Sequence, residues 1–266
     1  MNACRLAALG CGTVNHHNVE ALFNDPTVAA AVTAFDTVDY QTVSQRNGLT
    51  VPWLRGHEGE SKAVCLRDRA MALSGRPLAG AAHDQYVETV DGSRLLAGRP
   101  RDASAGRMVF VLIGLDCWSS RVSAVSDLRH AAAAAHGELL IVQAAVDCGQ
   151  AQVSIFGPRW QDACPACGLL ALPAAEPCVV LREGGRLLRG DLRCEAAAAA
   201  AEVLAVVKHC LAHGTTSRWR NLKINLMSAG AGGEFARFVR ARPMVSGCWG
   251  PHSPHTPLRL EELLAE

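Results

Sequence analysis

The sequence is poor in aromatic side chains: six phenylalanines, five tryptophans and two tyrosines make up only 5% of its 266 residues. Because 49% of the chain is nevertheless hydrophobic, its core must be filled by alanine, leucine and valine. No uninterrupted apolar run reaches the roughly 18 residues that a membrane helix requires, so no membrane span is expected. No sign of charge dominates either. A net charge of +1 is not the footprint of a protein that tracks a nucleic-acid backbone, so no nucleic-acid partner is expected. The first ten residues lack a charged segment leading into a signal core, and a cytoplasmic protein is expected. Cysteine is the exception to this scarcity. Eleven are present, an odd number scattered through apolar runs, which suggests buried thiols and a metal-binding minority rather than a disulfide framework.

The apolar runs are arranged as in an α/β chain. Residues 5–9 read as a short, fully buried strand, followed by a glycine turn and a helix from His16 to Phe23 that Asn24-Asp25-Pro26 ends. Val28 to Phe35 reads as a second strand closing at Asp36, and Val38 to Gly59 as polar and irregular. A helix is expected from Ser61 to Leu73 with Lys62 in its first turn, then a strand pair or hairpin within Tyr86–Leu96 and a loop over Gly98–Gly106. Met108–Ile113 is the clearest buried strand and leads through Gly114-Leu115-Asp116 into a helix from Ser119 to Ala135. Strands are expected over Glu138–Ala145, Gln152–Phe156 and Leu222–Met227. A helix is expected over Cys194–Ala212, between Asp191 as N-cap and Gly214 as C-cap.

The chemistry starts at Leu9-Gly10-Cys11-Gly12. A glycine pair between a strand and a helix lets the backbone approach a phosphate and points the helix N-terminus at it. The third glycine of the dinucleotide fingerprint is absent, and Asn15 stands there. Asp36, at the expected end of the second strand, is where a carboxylate would accept hydrogen bonds from ribose hydroxyls. His16 and His17 read as helix-surface residues.

Further segments extend this pattern. They are Phe35-Asp36-Thr37-Val38 with Gln45-Arg46, Ser61-Lys62-Ala63-Val64, Leu115-Asp116-Cys117 with Arg121, the strand segments Leu140–Ala145 and Ala151–Phe156, and Cys164-Pro165-Ala166-Cys167. In this order they resemble the ThiF/MoeB/ubiquitin-activating family of adenylyltransferases. The family's asparagine and R-Q pair are altered here to Thr42 and Gln45-Arg46, and Ala34 occupies the family's usual aspartate position.

The resemblance implies a doubly wound, Rossmann-like, mostly parallel sheet with helices on both faces and a C-terminal segment stapled by zinc. A single adenylation domain over 1–266 is expected, with a nucleotide-binding core at 1–160 and a zinc-knuckle crossover, helix and C-terminal strands at 161–266. Gly10 and Gly12 would lie under ATP, Asp36 would hold the ribose, Arg46 and Lys62 would contact the phosphates, and Asp116 would orient Mg2+ and the reacting phosphate. Zn2+ would be held by Cys164, Cys167, Cys248 and either His252 or His255. Cys178 and Cys194 are the candidates for a thioester-forming thiol, and Cys65 and the remaining cysteines read as packing. The implied partner is a small ubiquitin-like or sulfur-carrier protein ending in Gly-Gly, and the implied assembly is a homodimer or a pairing with a related subunit. Two other readings stay open: a non-catalytic, zinc-stabilised partner-binding scaffold, and an NAD-dependent oxidoreductase resting on Gly10, Gly12 and Asp36.

Overall fold

The computed structural model describes residues 2–90, 92–96, 108–133, 138–147, 149–170, 182–183, 186–187, 192–228, 235–242 and 248. The expected loop at Gly98–Gly106 and residues Cys148, Cys178, Asp191, His252 and His255 lie outside them.

The chain begins with β1 (Cys4–Leu9), α1 (Thr13–Asn24), α2 (Pro26–Ala31) and β2 (Val32–Val38). The elements α3 (Asn47–Thr50), α4 (Lys62–Ser74), β3 (Ala82–His83) and α5 (Gly92–Leu96) follow. Next come β4 (Met108–Ile113), α6 (Trp118–Ala133), β5 (Glu138–Asp147), β6 (Gln150–Phe156) and α7 (Pro165–Leu170). The chain continues through the two-residue pair β7 (Arg182–Glu183) and β8 (Arg186–Leu187), then α8 (Arg193–His213), β9 (Leu222–Ser228) and β10 (Phe235–Ala241).

Eight strands form one sheet in the order β10-β9-β6-β5-β4-β1-β2-β3. The half from β3 to β5 is parallel, and β6, β9 and β10 extend it antiparallel. Strand alternation divides the core. Leu6, Ala8, Phe110 and Leu112 face a layer containing Val19 and Leu22 of α1, Leu66 of α4 and Val203 of α8. Ala7, Leu9, Val111 and Ile113 face Leu95 of α5 and Val125 and Leu128 of α6. Helices therefore cover both faces, as parallel strands that are apolar throughout require. No helix among the described residues is long and apolar enough to cross a membrane.

Three local expectations are corrected. Val28 belongs to α2, because the Asp25 carboxylate caps the amides of Thr27 and Val28 and Pro26 opens the turn. The second strand accordingly begins at Val32 and runs on to Val38, so Asp36 is not at its end. The expected hairpin in Tyr86–Leu96 is a 3-10 turn at Val87–Thr89 followed by α5. α8 is preceded at its N-cap by Leu192, which makes no side-chain cap, and its C-terminus is closed by Gly214 in the left-handed conformation.

Candidate nucleotide site at the carboxyl ends of β1 and β4

The parallel half changes direction between β1 and β4: the chain moves outward from β1 through β2 to β3, then returns to β4 on the other side. Crevices at the carboxyl ends of strands beside such a switch are where ligands bind in open α/β sheets. Leu9 lies beside Ile113 in register, and the Gly114 amide donates to the Leu9 carbonyl at 2.8 Å. The glycine turn and the Gly114–Asp116 turn therefore leave the sheet side by side.

The two glycines of the turn serve different ends. Gly10 has φ +79°, and a β-carbon there would lie 2.8 Å from the Gly114 carbonyl oxygen. Packing alone demands glycine at that position. At Gly12, with φ −84°, a β-carbon would meet nothing within 4 Å. Space for a ligand is open above it. Asn15 occupies the place of the third fingerprint glycine, fully buried, and its side-chain amide donates to the carbonyls of Leu9, Gly10 and Leu112. It clamps the ends of β1 and β4 together.

The structure separates Asp36 from the turn. Asp36 is 5% exposed within β2, ion-paired with Arg5 at 3.0 Å, and accepts from the Ala81 amide at 2.9 Å. The carboxylate that reaches the turn is Asp39, just beyond the strand. It accepts from the Cys11 amide at 2.6 Å and from the Gln41 amide at 2.8 Å. The Cys11 thiol is buried against the Val38 carbonyl, and burial, then Asp39, push its pKa up. Cys117, beside Asp116, is exposed, and the Ser119 hydroxyl and Ser120 amide draw its pKa down.

Lys62 opens α4, which Ser61 caps by accepting from the Val64 amide. Its side chain is 9% exposed, and among the described residues its only acceptor is Gln41 Oε1, at 2.7 Å. A buried ammonium with a single neutral acceptor is costly unless an anion completes it. Asp116 is exposed on the turn after β4, and Arg46 is exposed on the segment between β2 and α4. That segment is pinched at its neck where the Val43 amide donates to the Glu60 carbonyl and the Gly59 amide to the Val43 carbonyl. It is tied to the start of α1 by the hydroxyl pair Thr13 and Thr50 at 2.7 Å. No described contact joins Arg46 to Lys62 or to Asp116.

His16 is not a surface residue. It is 1% exposed, and its ring meets Trp53 edge-on with centroids 5.0 Å apart. Burial first, then the neighbouring His17 and Lys62, push its pKa down to about 3. A histidine that stays neutral when folded but protonates near 6.5 when unfolded contributes its full stability above pH 6.5. That contribution is lost as the pH falls toward about 3. At about 1.4 kcal/mol per unit, the loss reaches several kcal/mol. Replacing His16 with Phe should therefore flatten the acid limb of urea-denaturation stability between these pH values, whereas an unchanged limb would refute the assignment.

The thiols of the Cys-x-x-Cys segment sit apart from this site. Cys164 Sγ lies 3.9 Å from Cys167 Sγ and 3.7 Å from Cys248 Sγ, and the first two residues are fully buried. Tetrahedral zinc with Zn–S bonds of about 2.3 Å places its sulfurs about 3.8 Å apart. The three thiols thus fit three corners of such a site. Two arginines that sequence reading passed over lie close by. Arg129, wholly buried in α6, donates to the carbonyls of Gly157, Asp162 and Ala163. Arg242, 8% exposed, donates to the Pro165 carbonyl and lies over the Phe156 ring. Burial draws the pKa of both down, and the nearby Cys164 and Cys167 act in the opposite sense, so both guanidinium groups would offset thiolate charge in a metal-bound cluster. Cys194 is exposed in the first turn of α8.

By sequence, neither a protein-family model nor a curated protein matches the chain. By structure, matches are clear. Escherichia coli MccB with AMPCPP and MccA superposes with a TM-score of 0.59 at 14% identity, covering 94% of this chain and 66% of that one. MccB with ATP gives 0.58 at 14% identity, covering 92% and 65%. PaaA gives 0.55 at 12% identity, covering 91% and 65%. The chain shares its fold with MccB. It spans about two thirds of the length of these structures.

Proposed function

We propose that the chain is an adenylating enzyme that binds ATP at the carboxyl ends of β1 and β4 and transfers AMP to the C-terminal carboxylate of a polypeptide. The observation that carries this reading is Lys62, a buried cation without an anionic partner among the described residues, on the helix beside a glycine turn that is open at Gly12. MccB, which shares the fold, has been seen with ATP and with MccA. In the reaction a carboxylate oxygen attacks the α-phosphorus, the bond from that phosphorus to the bridging oxygen breaks, and pyrophosphate leaves with the electron pair. Negative charge accumulates on the leaving group. Lys62 and Arg46 supply the cations that offset it, and preorganised charge of this kind is the main lever in phosphoryl chemistry. Asp116, exposed at the end of β4, would hold Mg2+, which neutralises phosphate charge when bound.

The ribose role passes from Asp36 to Asp39. Asp36 is committed to Arg5, whereas Asp39 stands at the turn. A carboxylate there suits hydroxyl groups and repels phosphates, directing the phosphates toward Lys62. The oxidoreductase reading rested on Gly10, Gly12 and Asp36, of which Asp36 is committed to Arg5.

The finer assignments follow from the family resemblance. The partner is a small ubiquitin-like or sulfur-carrier protein ending in Gly-Gly, and the assembly is a homodimer or a pairing with a related subunit. The chain would be one domain over 1–266, with Zn2+ held by Cys164, Cys167, Cys248 and either His252 or His255 and stapling 161–266 to the core at 1–160. Cys194, exposed in the first turn of α8, is the accessible thiol for a later thioester. A cleft of about 670 Å³ beside the end of β5, bordered by Ala145, Met227 and Phe238 and by the polar Gln152, Asn225 and Arg240, offers room for an extended polypeptide.

A second reading, a non-catalytic scaffold, draws on the Asp39 carboxylate already seated on the Cys11 amide. Calorimetric titration separates the two. ATP with Mg2+ should bind, and Asp39→Ala should weaken binding about tenfold, or about 1.4 kcal/mol. Binding of NAD but not ATP would overturn the proposal, and binding of neither would favour the scaffold.

A further inference from the structure

Cys65 lies among apolar neighbours in the sequence, yet its thiol does not simply pack. The chain turns back at His57–Glu60, where Gly56 and Gly59 take left-handed φ values of +91° and +89° and the Glu60 amide donates to the His57 carbonyl. This turn carries His57 and Glu60 onto the first turns of α4. There His57 Nδ1 lies 3.0 Å from Glu60 Oε2, and Cys65 Sγ lies 3.4 Å from the same oxygen. The three ligand atoms all fall within 4.8 Å of one another.

We propose that His57, Glu60 and Cys65 form a second zinc site, with three protein ligands and one position open to water. Imidazole nitrogen, carboxylate oxygen and thiolate sulfur are the donor types that Zn2+ takes together. With metal–ligand bonds of about 2.0–2.3 Å, tetrahedral edges between these donors run to about 3.3–3.6 Å. The two separations from Glu60 need to open by only a few tenths of an ångström, and that between His57 and Cys65 lies within 4.8 Å.

The surroundings favour a cation. Cys65 is 3% exposed, and burial first, then the Glu60 and Asp68 carboxylates, push its thiol pKa up to about 12, a penalty on the thiolate that a bound cation would offset. Lys62, three residues before Cys65, donates its ammonium to Gln41. The His57 ring rests edge-on against Trp53 at 5.9 Å, which limits its rotation. Orientation of a ligating imidazole by its neighbours is a general feature of metal sites.

The site has a structural consequence. Glu60 is one side of the neck at Val43 that closes the segment carrying Arg46, and Lys62 is two residues further on. Zinc bound here would fix that segment against α4, independently of the Cys164 cluster.

The test is zinc content after dialysis against Zn2+, measured by elemental analysis on protein without a polyhistidine tag and without nucleotide. Glu60→Gln, at an exposed position, and Cys65→Ser should each lose one equivalent and keep the zinc that Cys164→Ser removes. The same content in wild type, Glu60→Gln and Cys65→Ser would overturn the proposal. So would a wild type with no zinc beyond that lost in Cys164→Ser. Because no turnover is read, failure of the adenylation reading leaves this result unaffected.

Discussion

Lys62→Met is expected to lower ATP–pyrophosphate exchange at least about 100-fold while leaving the protein as stable as before or more so. The first half follows from placing a fixed cation at the developing pyrophosphate charge, where loss of one such group typically costs about 100- to 1000-fold in rate. The second half follows from the present surroundings of Lys62. The residue is 9% exposed, and the one acceptor of its ammonium among the described residues is the neutral Gln41 oxygen. Desolvating that charge costs more than one neutral hydrogen bond returns, and an apolar side chain of similar length removes the cost. A residue kept for its charge against stability marks a functional position. Urea denaturation of the variant reads the second half, and a marked loss of stability would mean that Lys62 serves the fold.

The two glycines of the turn should respond in opposite ways. Gly10→Ala is expected to cost about 2–4 kcal/mol of stability, combining a left-handed backbone, worth about 1–2 kcal/mol, with a methyl group driven onto a backbone oxygen. That oxygen belongs to Gly114, 2.8 Å from the β-carbon position. Gly12→Ala should leave stability within about 0.5 kcal/mol, as is usual for a substitution without a clash, because its φ is −84° and nothing lies within 4 Å. Its methyl group instead enters the space where a nucleotide would approach, and ATP affinity should fall tenfold or more, about 1.4 kcal/mol. Chemical denaturation and titration calorimetry on both variants check the contrast. Unchanged ATP affinity in Gly12→Ala would place the nucleotide elsewhere.

The parts of the fold that can be read from sequence are those in which one element dictates its own form. Met108–Ile113 is apolar at every position and could only be a buried strand. Ser61 and Gly75 mark the limits of α4 by capping. β2 is displaced because Asp25 and Pro26 open a helical turn where alanine and valine alone suggest a strand. That displacement carries into the site: the strand continues past Asp36, and the turn is met three residues later by Asp39. Nothing in the sequence singles out Arg129, and only the folded loop at Gly157–Ala163 supplies the carbonyls that draw it inside. Cys65 becomes a candidate ligand only when the glycines at 56 and 59 fold His57 and Glu60 back onto it. β10, with arginines at 237 and 240, lacks an apolar pattern because it is an exposed sheet edge, where charge discourages pairing with other chains.

The central claim is that this switch point activates a carboxylate with ATP. ATP–pyrophosphate exchange tests it most directly, run with ATP, Mg2+ and a panel of carrier proteins ending in Gly-Gly alongside short peptides with free C-terminal carboxylates. The expected result is label entering ATP from pyrophosphate only when one of these partners is present, and loss of that exchange in Asp116→Asn with folding intact. Contradiction would be ATP cleaved to ADP and phosphate, or no exchange with any partner together with tight binding of NAD.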